Sequence, residues 1–367
     1  MNHPKVSHWI EVAHSLGEEF AGRAQAHDED DTFVSRNYAA LKERRVFSAA
    51  IPEGLGGGGA SHREVCDMLR ILAQYCGSTA LALSMHQHLI AATIWKYRRG
   101  QGGEPMLKNV AEKQLVLVST GAGDWLESNG STTKTDGGYL VSAHKHFASQ
   151  SAVGDMLVTS TPFMDEVLHF PVPMNATGVT LLNDWRALGM RGTGSHTVKL
   201  ENVLIPDAAI ALRRPRGAYH PVWNVVLTVA MPLIMSVYVG IAQKAAALSI
   251  GHSRRKKSAK PHVPYSVGEM NNDLVAAEIQ LNDMLRIANN YDFEAIDQNG
   301  HDILARKTNV ANAAINVVGK AMEIVGGQGL YRDFGLERLF RDVQGARYHP
   351  LPQAEQVKFS GEYLLRD

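Results

Sequence analysis

The sequence predicts an α+β protein in which a β domain is inserted between two helical domains. Apolar residues recur at helical spacing near both ends of the chain. In the middle, short runs such as LVLVST and HTVKLENVLI alternate apolar and polar residues and are separated by Gly, Asn, Asp and Pro. We therefore expect an N-terminal helical domain at 1–113, a middle β domain at 114–212 and a C-terminal helical bundle at 213–367.

Helical periodicity defines the first and last domains. In the first, apolar residues recur at spacings of three and four within 65–72. In the last, the pattern predicts long helices over 225–254, roughly 269–296 and 302–325, the third with Asp302 as its N-cap. We therefore expect long helices that pack as a bundle.

Composition narrows the functional classes. The chain of 367 residues is 45% hydrophobic and carries 37 basic and 37 acidic residues, so no net charge favours binding to nucleic acid or to an acidic membrane. Residues 221–242 are apolar over about the length of a membrane span. They include Asn224 and Pro232 and stand alone in a chain otherwise patterned for water, so we interpret them as a buried helix and expect no membrane association.

Cysteine and histidine usage points to a cytoplasmic protein without a metal site. Cys66 and Cys76 are the two cysteines, and the sequence shows neither a CxxC motif nor a secretory signal. His86 and His88 are two residues apart on a predicted helix, so their side chains point away from each other and would not chelate one ion.

Four stretches together resemble the acyl-CoA dehydrogenase superfamily. They are IPEGLGGG, GYLVSAHKHFASQSAVGDMLV, LGMRGTGSHTVKLENVLIPD, and GGQG followed by LERLFRD, and they occur in that family's order over nearly the whole chain. The resemblance implies an acyl-CoA dehydrogenase-like fold with an N-terminal helical domain, a middle β-barrel or sandwich domain and a C-terminal four-helix bundle. It further implies a flavin bound between the domains and a homotetramer or homodimer.

The resemblance also assigns candidate cofactor contacts. Gly326, Gly327 and Gly329 correspond to glycines that usually face a neighbouring subunit's cofactor, and backbone amides without a nearby Cβ can approach phosphate oxygens closely. A simple helix C-cap is the alternative interpretation. Ser149 aligns with the residue that hydrogen-bonds near flavin N5, and Phe147 with an aromatic residue that lies against the isoalloxazine ring.

Three further residues complete the predicted site. Thr120 is expected on the same wall as Ser149. His86 is a candidate substrate contact because the corresponding family helix runs beneath the substrate side of the flavin, although core packing is an open alternative. Arg341, in the LERLFRD stretch, is the second candidate substrate contact.

The chain departs from the dehydrogenases at the catalytic base. A thioester dehydrogenase needs a carboxylate that removes the α-proton while hydride leaves for flavin N5. The two family positions for that base fall at Pro350 and near Ala230, and neither residue accepts a proton. His349 is the titratable neighbour, and it lies where flavin monooxygenases of this fold carry a histidine. We predict that His349 is catalytic, with a structural histidine as the alternative.

Three functions therefore remain open. The sequence narrowly favours an acyl-CoA dehydrogenase-like flavin oxidoreductase that binds FAD and passes electrons to an electron-transfer flavoprotein. The alternative is a two-component monooxygenase in which a partner reductase supplies reduced flavin, with FMN as a possible cofactor. This alternative gains support because the stretch RRKKSAKPHVPYSVGEMNN lacks the family's diphosphate contacts. A non-catalytic flavin-binding or CoA-binding scaffold is the third.

Overall fold

A computed structural model describes residues 7–121, 124, 127–256 and 261–366. The predicted fold class is confirmed: helices precede and follow a central region of strands. Within these residues, the N-terminal helices are α1 (His8–Glu29), α2 (Ser35–Glu43), α3 (His62–Tyr75), α4 (Gly77–Arg98) and α5 (Glu104–Lys113). The C-terminal helices are α6 (Val222–Arg255), α7 (Val263–Ala288), α8 (Asp297–Val325), α9 (Leu336–Val343) and α10 (Gln353–Leu364).

The strands form two four-stranded sheets that share one apolar core. They are β1 (Leu117–Ser119), β2 (Ser131–Thr135), β3 (Gly138–Ala148), β4 (Met156–Phe163), β5 (Glu166–Pro173), β6 (Val179–Leu182), β7 (His196–Pro206) and β8 (Leu212–Pro215). The strand orders are β1-β4-β5-β8 and β2-β3-β7-β6, and every pair is antiparallel except the parallel pair β1 and β4. Val141, Phe170 and Val198 from both sheets meet in the core, so the domain is a sandwich. The sheets extend to Pro215, three residues beyond the predicted boundary at 212.

The long helix α6 lies at the centre of the helical core. It packs against α3 and α4 from the N-terminal region and against α7 and α8 from the C-terminal region. Because it has helical neighbours around it, it is apolar on all sides. Among the described residues, α6 is the helix that is both long enough and apolar enough to span a membrane. However, 94% of its most apolar window is buried inside the protein.

Two predicted helix boundaries are wrong for local reasons. Helix α8 begins at Asp297, not at Asp302, and the Asp297 carboxylate accepts a hydrogen bond from the Asn224 amide at 2.9 Å. Helix α7 ends at Ala288, well before the predicted 296, because Asn289 and Asn290 adopt left-handed backbone angles with φ of 38° and 50°. Asn tolerates this conformation better than most residues, so the pair ends the helix.

Candidate functional site

A cavity of about 650 Å³ lies where the β sandwich meets the two helical regions. Its walls come from α4, from the ends of β1 and β3, from the loop that precedes β7, from α6 and from the segment between α9 and α10. The volume falls within the range of roughly 300–1,000 Å³ that is usual for small-molecule and cofactor sites. Thr120, Phe147, Ser149, Arg341 and His349 from the predicted site all line it.

One wall of the cavity carries linked hydroxyl groups. The Ser149 and Ser195 hydroxyl oxygens lie 2.8 Å apart, and the Thr193 hydroxyl lies 2.7 Å from that of Ser195. Thr120 lines the same cavity at the end of β1. Each hydroxyl can donate or accept, so this wall can complement both donors and acceptors on the edge of a heteroaromatic ring.

Phe147 presents an aromatic face beside the hydroxyl wall. Its side chain is 63% exposed, and its backbone adopts a left-handed φ of 57°, which is uncommon for a bulky residue. The ring meets Trp185 edge to face, with 6.1 Å between the ring centroids. A Cβ at Gly121 would stand 3.0 Å from the Phe147 ring, so Gly121 leaves room for this placement.

The aromatic face, the hydroxyl wall and the apolar residues of the cavity fit a flavin ring. Leu81, Met85 and Ile234 supply apolar surface in the same cavity. A flavin ring is flat and apolar on its faces and polar along one edge, which matches this distribution. The residues that line the cavity in the described part of the chain can therefore hold an isoalloxazine.

The glycine stretch does not line this cavity. Gly326 and Gly327 lie in a 3-10 turn after α8, and a Cβ on either would meet no atom within 4 Å. Gly329 in the same turn is buried. Contact of these glycines with a flavin would therefore have to involve another copy of the chain, and this assignment stays a prediction.

His349, which is half-buried, forms a hydrogen-bonded pair with the buried Tyr238 from α6. The Tyr238 hydroxyl and His349 Nε2 lie 2.7 Å apart. Burial, followed by the positive charge of Lys307, lowers the pKa of His349 to about 3. Burial, followed by the Asp342 carboxylate, raises the pKa of Tyr238 well above 10. Both side chains are therefore uncharged near neutral pH and share a hydrogen bond between neutral groups.

The cavity lacks a carboxylate at either family position for a base. Ala230 and Pro350 both line the cavity, and neither side chain carries a titratable group. Glu355, in the first turn of α10, also contributes to the lining, and its side chain is exposed. A carboxylate is therefore available at the rim, and His349 and Tyr238 occupy the interior.

His86 is not a substrate contact, which corrects the prediction. Its Nε2–H donates to the Phe47 carbonyl at 2.8 Å, and its Nδ1 accepts from the Leu117 amide at 3.0 Å. Burial lowers its pKa to about 4. His86 thus joins α4 to β1 through Nδ1 and to the 3-10 turn at Phe47 through Nε2, and His88, two residues further along α4, lines the cavity instead.

Arg341 borders the cavity, but its donors are already used. Its guanidinium makes five hydrogen bonds, which go to both carboxylate oxygens of Asp28, both of Glu337 and the Leu188 carbonyl. The Asp28 and Glu337 bonds raise its pKa further. A substrate would have to displace these partners, so Arg341 is better described as holding the loop at Leu188 against α1 and α9.

The neighbouring residue, Asp342, holds the same loop. Its carboxylate accepts a hydrogen bond from the Met190 amide at 2.5 Å. A Cβ at Gly189 would stand 2.4 Å from the Arg341 carbonyl oxygen, so glycine allows the loop to approach α9 closely. Burial raises the pKa of Asp342 to about 6. Arg341 and Asp342 together fix this part of the cavity wall.

Several residues of the site were missed by the sequence analysis. Tyr238 lies within the apolar run that forms α6, and its hydroxyl was the sequence feature that could have indicated a polar role there. Lys307 follows Leu304 by three residues on the apolar face of α8, where a charged residue is unexpected. Ser195 and Trp185 stand in a loop that has no periodic pattern.

Comparison with known proteins identifies the family. The N-terminal domain of acyl-CoA dehydrogenase matches residues 11–111, and the C-terminal domain of acyl-CoA dehydrogenase matches 222–349. A putative acyl-CoA dehydrogenase, YdbM of Bacillus subtilis, is 26% identical over 93% of this chain and 92% of its own length. Dibenzothiophene monooxygenase of Mycolicibacterium goodii is 24% identical over 97% of this chain and 93% of its own.

A solved structure supports the same fold. KijD3, in complex with FMN and a dTDP-linked amino-keto sugar, superposes with a TM-score of 0.88 over 99% of this chain and 95% of its own, at 24% sequence identity. The two acyl-CoA dehydrogenase matches together cover more than half of the sequence. The chain belongs to the acyl-CoA dehydrogenase superfamily of flavin-dependent oxidoreductases.

Proposed function

We propose that the protein is the oxygenase component of a two-component monooxygenase that uses reduced FMN. This reverses the narrow preference for thioester dehydrogenation that the sequence alone suggested. The observation that carries the proposal is the absence of a carboxylate at both base positions, Ala230 and Pro350, among the residues that line the cavity. Two relatives also support an oxygenase that uses FMN. One is the dibenzothiophene monooxygenase, and the other is KijD3, whose structure contains FMN.

His349 is a poor substitute for the missing base. An imidazole whose pKa lies at about 3 holds a proton weakly, so it gives little driving force for removing an α-proton from a thioester. A neutral imidazole and phenol pair is better suited to donating hydrogen bonds. This favours a role for His349 and Tyr238 in holding a neutral or developing anionic oxygen.

Each part of the cavity has a task in the proposed reaction. Reduced flavin, when bound, supplies the electrons that activate dioxygen. Phe147 and the hydroxyl wall of Ser149, Ser195 and Thr193 orient the ring. The apolar side chains of Leu81, Met85 and Ile234 keep water out of the cavity. The Tyr238–His349 pair offers a hydrogen-bond donor without placing a charge there.

The partners follow from this assignment. A separate flavin reductase would supply reduced FMN, as a two-component system requires. The substrate would be a small molecule held in the apolar part of the cavity. We further propose a homodimer or homotetramer in which the turn at Gly326 and Gly327 faces a flavin of another subunit.

Anaerobic mixing separates the two flavin reactions. Protein loaded with oxidised flavin is mixed with short-chain and medium-chain acyl-CoA thioesters without oxygen, and flavin absorbance is followed. In a second arm, a reductase supplies reduced FMN in isotope-labelled dioxygen, with dibenzothiophene or an amino-sugar nucleotide as the probe. We expect no bleaching in the first arm and a labelled oxygen atom in the product of the second.

The Glu355→Gln variant is the matched control. If a thioester bleaches the flavin of the wild type but not that of Glu355→Gln, the Glu355 carboxylate at the rim is the base and the protein is a dehydrogenase. Bleaching that survives in Glu355→Gln but disappears in His349→Gln would assign the base to His349. Either result contradicts the proposed oxygenase.

A further inference from the structure

Lys307 is a buried positive charge that the proposed function does not use. Its side chain on α8 is 1% exposed, and it forms no ion pair with a carboxylate in the described part of the chain. Its Nζ donates one hydrogen bond, to the Leu351 carbonyl at 3.0 Å. Burial of an ammonium group without an acidic partner is unfavourable, so a position of this kind is a candidate for a functional role.

Lys307 lies directly behind the cavity wall that contains His349. Leu351, whose carbonyl it binds, lines the cavity together with Pro350 and His349. Its charge is the electrostatic influence that acts on His349, second only to burial, and it lowers the pKa of that imidazole. The Lys307 side chain is therefore tied to His349 both through the backbone and through its field.

Few other ionisable groups bear on this pair from the helices around it. Tyr238 on α6 bonds His349 directly, and Asp342 on α9 acts on Tyr238. Glu355 on α10 lies exposed at the rim. In the described residues, Lys307 on α8 is thus the cation that influences the His349 ring.

We propose that Lys307 is the positioning residue of the Tyr238–His349 pair, which it holds in place through the Leu351 carbonyl and strengthens as a hydrogen-bond donor through its own positive charge. The consequence for catalysis rests on the proposed oxygenase function. The hydrogen bond from Lys307 to the Leu351 carbonyl is independent of that function. Burial keeps the pair neutral, and the nearby positive charge of a protonated Lys307 makes its O–H and N–H groups stronger hydrogen-bond donors toward the flavin site. Loss of that charge would change the electronic state of His349 without removing any atom from the cavity.

The charge on Lys307 can be switched by pH, which provides a direct test. Burial lowers the pKa of Lys307 to about 8, so the ammonium loses its proton as the pH rises through that value. Nuclear magnetic resonance of the full-length, FMN-loaded protein with nitrogen-15-labelled histidine reports the His349 ring, and His349→Gln assigns its signals. We expect the His349 ring shifts of the wild type to move with a midpoint near pH 8.

Two variants make the test specific. Lys307→Arg keeps its charge throughout this range, so its His349 shifts should stay at the values that the wild type has at low pH. Lys307→Met carries no charge, so its shifts should stay near the wild-type values at high pH. Flat wild-type shifts, or a movement that persists in either variant, would overturn the proposal. If Lys307→Met does not fold, the comparison of the wild type with Lys307→Arg still decides.

An activity profile separates this proposal from the proposed function. Oxygenation by the wild type should fall as the pH rises past about 8, whereas Lys307→Arg should keep its rate. A nuclear magnetic resonance titration as expected with no oxygenation of any probe would leave the Lys307 contact intact and reject the oxygenase. Oxygenation of a probe together with His349 shifts that do not change with pH would support the oxygenase and reject the proposed role of Lys307.

Discussion

Replacement of His349 by Gln tests whether its ring is shielded enough from water to stay neutral in the folded protein. In the unfolded chain a histidine has its ordinary pKa of 6.5, whereas in the folded protein the pKa of His349 falls to about 3. The unfolded chain therefore binds more protons than the native protein below the ordinary pKa. The stability that His349 contributes is present above pH 6.5 and is lost as the pH falls toward its folded pKa.

The size of the effect follows from this difference in pKa. Between about pH 7 and about pH 5 the unfolded histidine becomes almost fully protonated while the native one does not, which lowers the free energy of unfolding by roughly 2 kcal/mol. Gln cannot take up a proton. The variant should therefore lose roughly 2 kcal/mol less stability than the wild type over this range. This value is an upper bound, because the ring is half-buried and borders the cavity.

Urea unfolding at the two pH values measures the effect. Other histidines, including His62, His86 and His169, also have lowered pKa values, but they contribute equally to both proteins. The comparison between proteins therefore isolates His349. His8, which is exposed, provides a control in His8→Gln. If the wild type and His349→Gln lose the same stability, the His349 ring is solvated in the native protein and the reasoning fails.

Two further substitutions test the surroundings of the pair. Gly345→Ala would place a Cβ 2.6 Å from the Tyr238 hydroxyl and displace it from His349, so we expect about a tenfold loss of oxygenation rate from the loss of one hydrogen bond. Gly361→Ala, where a Cβ meets no atom within 4 Å, is its control, and equal rates in both would contradict the role of the pair. Asp342→Asn retains an acceptor for the Met190 amide. Because burial raises the pKa of Asp342 from 3.8 to about 6, native protein binds the proton more tightly and wild-type stability falls as the pH rises through that interval. The variant should lose this slope, worth up to roughly 3 kcal/mol, in urea unfolding from about pH 4 to pH 7, and an unchanged slope would show a solvated carboxylate.

The fold could be predicted because its periodicities are local. The change from helical to alternating spacing near residue 114 marks the sheets, and the apolar run at 221–242 forms the core of α6. Composition alone cannot distinguish such a helix from a membrane span. Its surroundings explain the pattern, since the helices α3, α4, α7 and α8 all pack against it.

The candidate site could be predicted only where the family resemblance supplied alignment. Phe147, Ser149 and His349 line the cavity as expected. The sequence placed His86 and His88 on different faces of α4 but could not say which face meets the cavity, because that depends on the packing of β1 against the helix. The same limit applies to residues whose role depends on distant partners.

Arg341 and Lys307 illustrate that second limit. Arg341 is occupied by Asp28, which is 313 residues away in the sequence, so no local pattern reveals the ion pair. Lys307 acts on His349 across the space between α8 and the segment after α9. These contacts arise from tertiary packing, and only the folded structure brings them together.

A crystal structure of the protein with bound FMN would show whether the flavin ring lies in this cavity. We expect the isoalloxazine between Phe147 and the neutral Tyr238–His349 pair, with no carboxylate within hydrogen-bonding distance of the space beside the ring. An isoalloxazine found outside this cavity would rule out the proposed site. A Glu355 side chain turned inward to the place where an α-proton would be removed would contradict the proposed oxygenase.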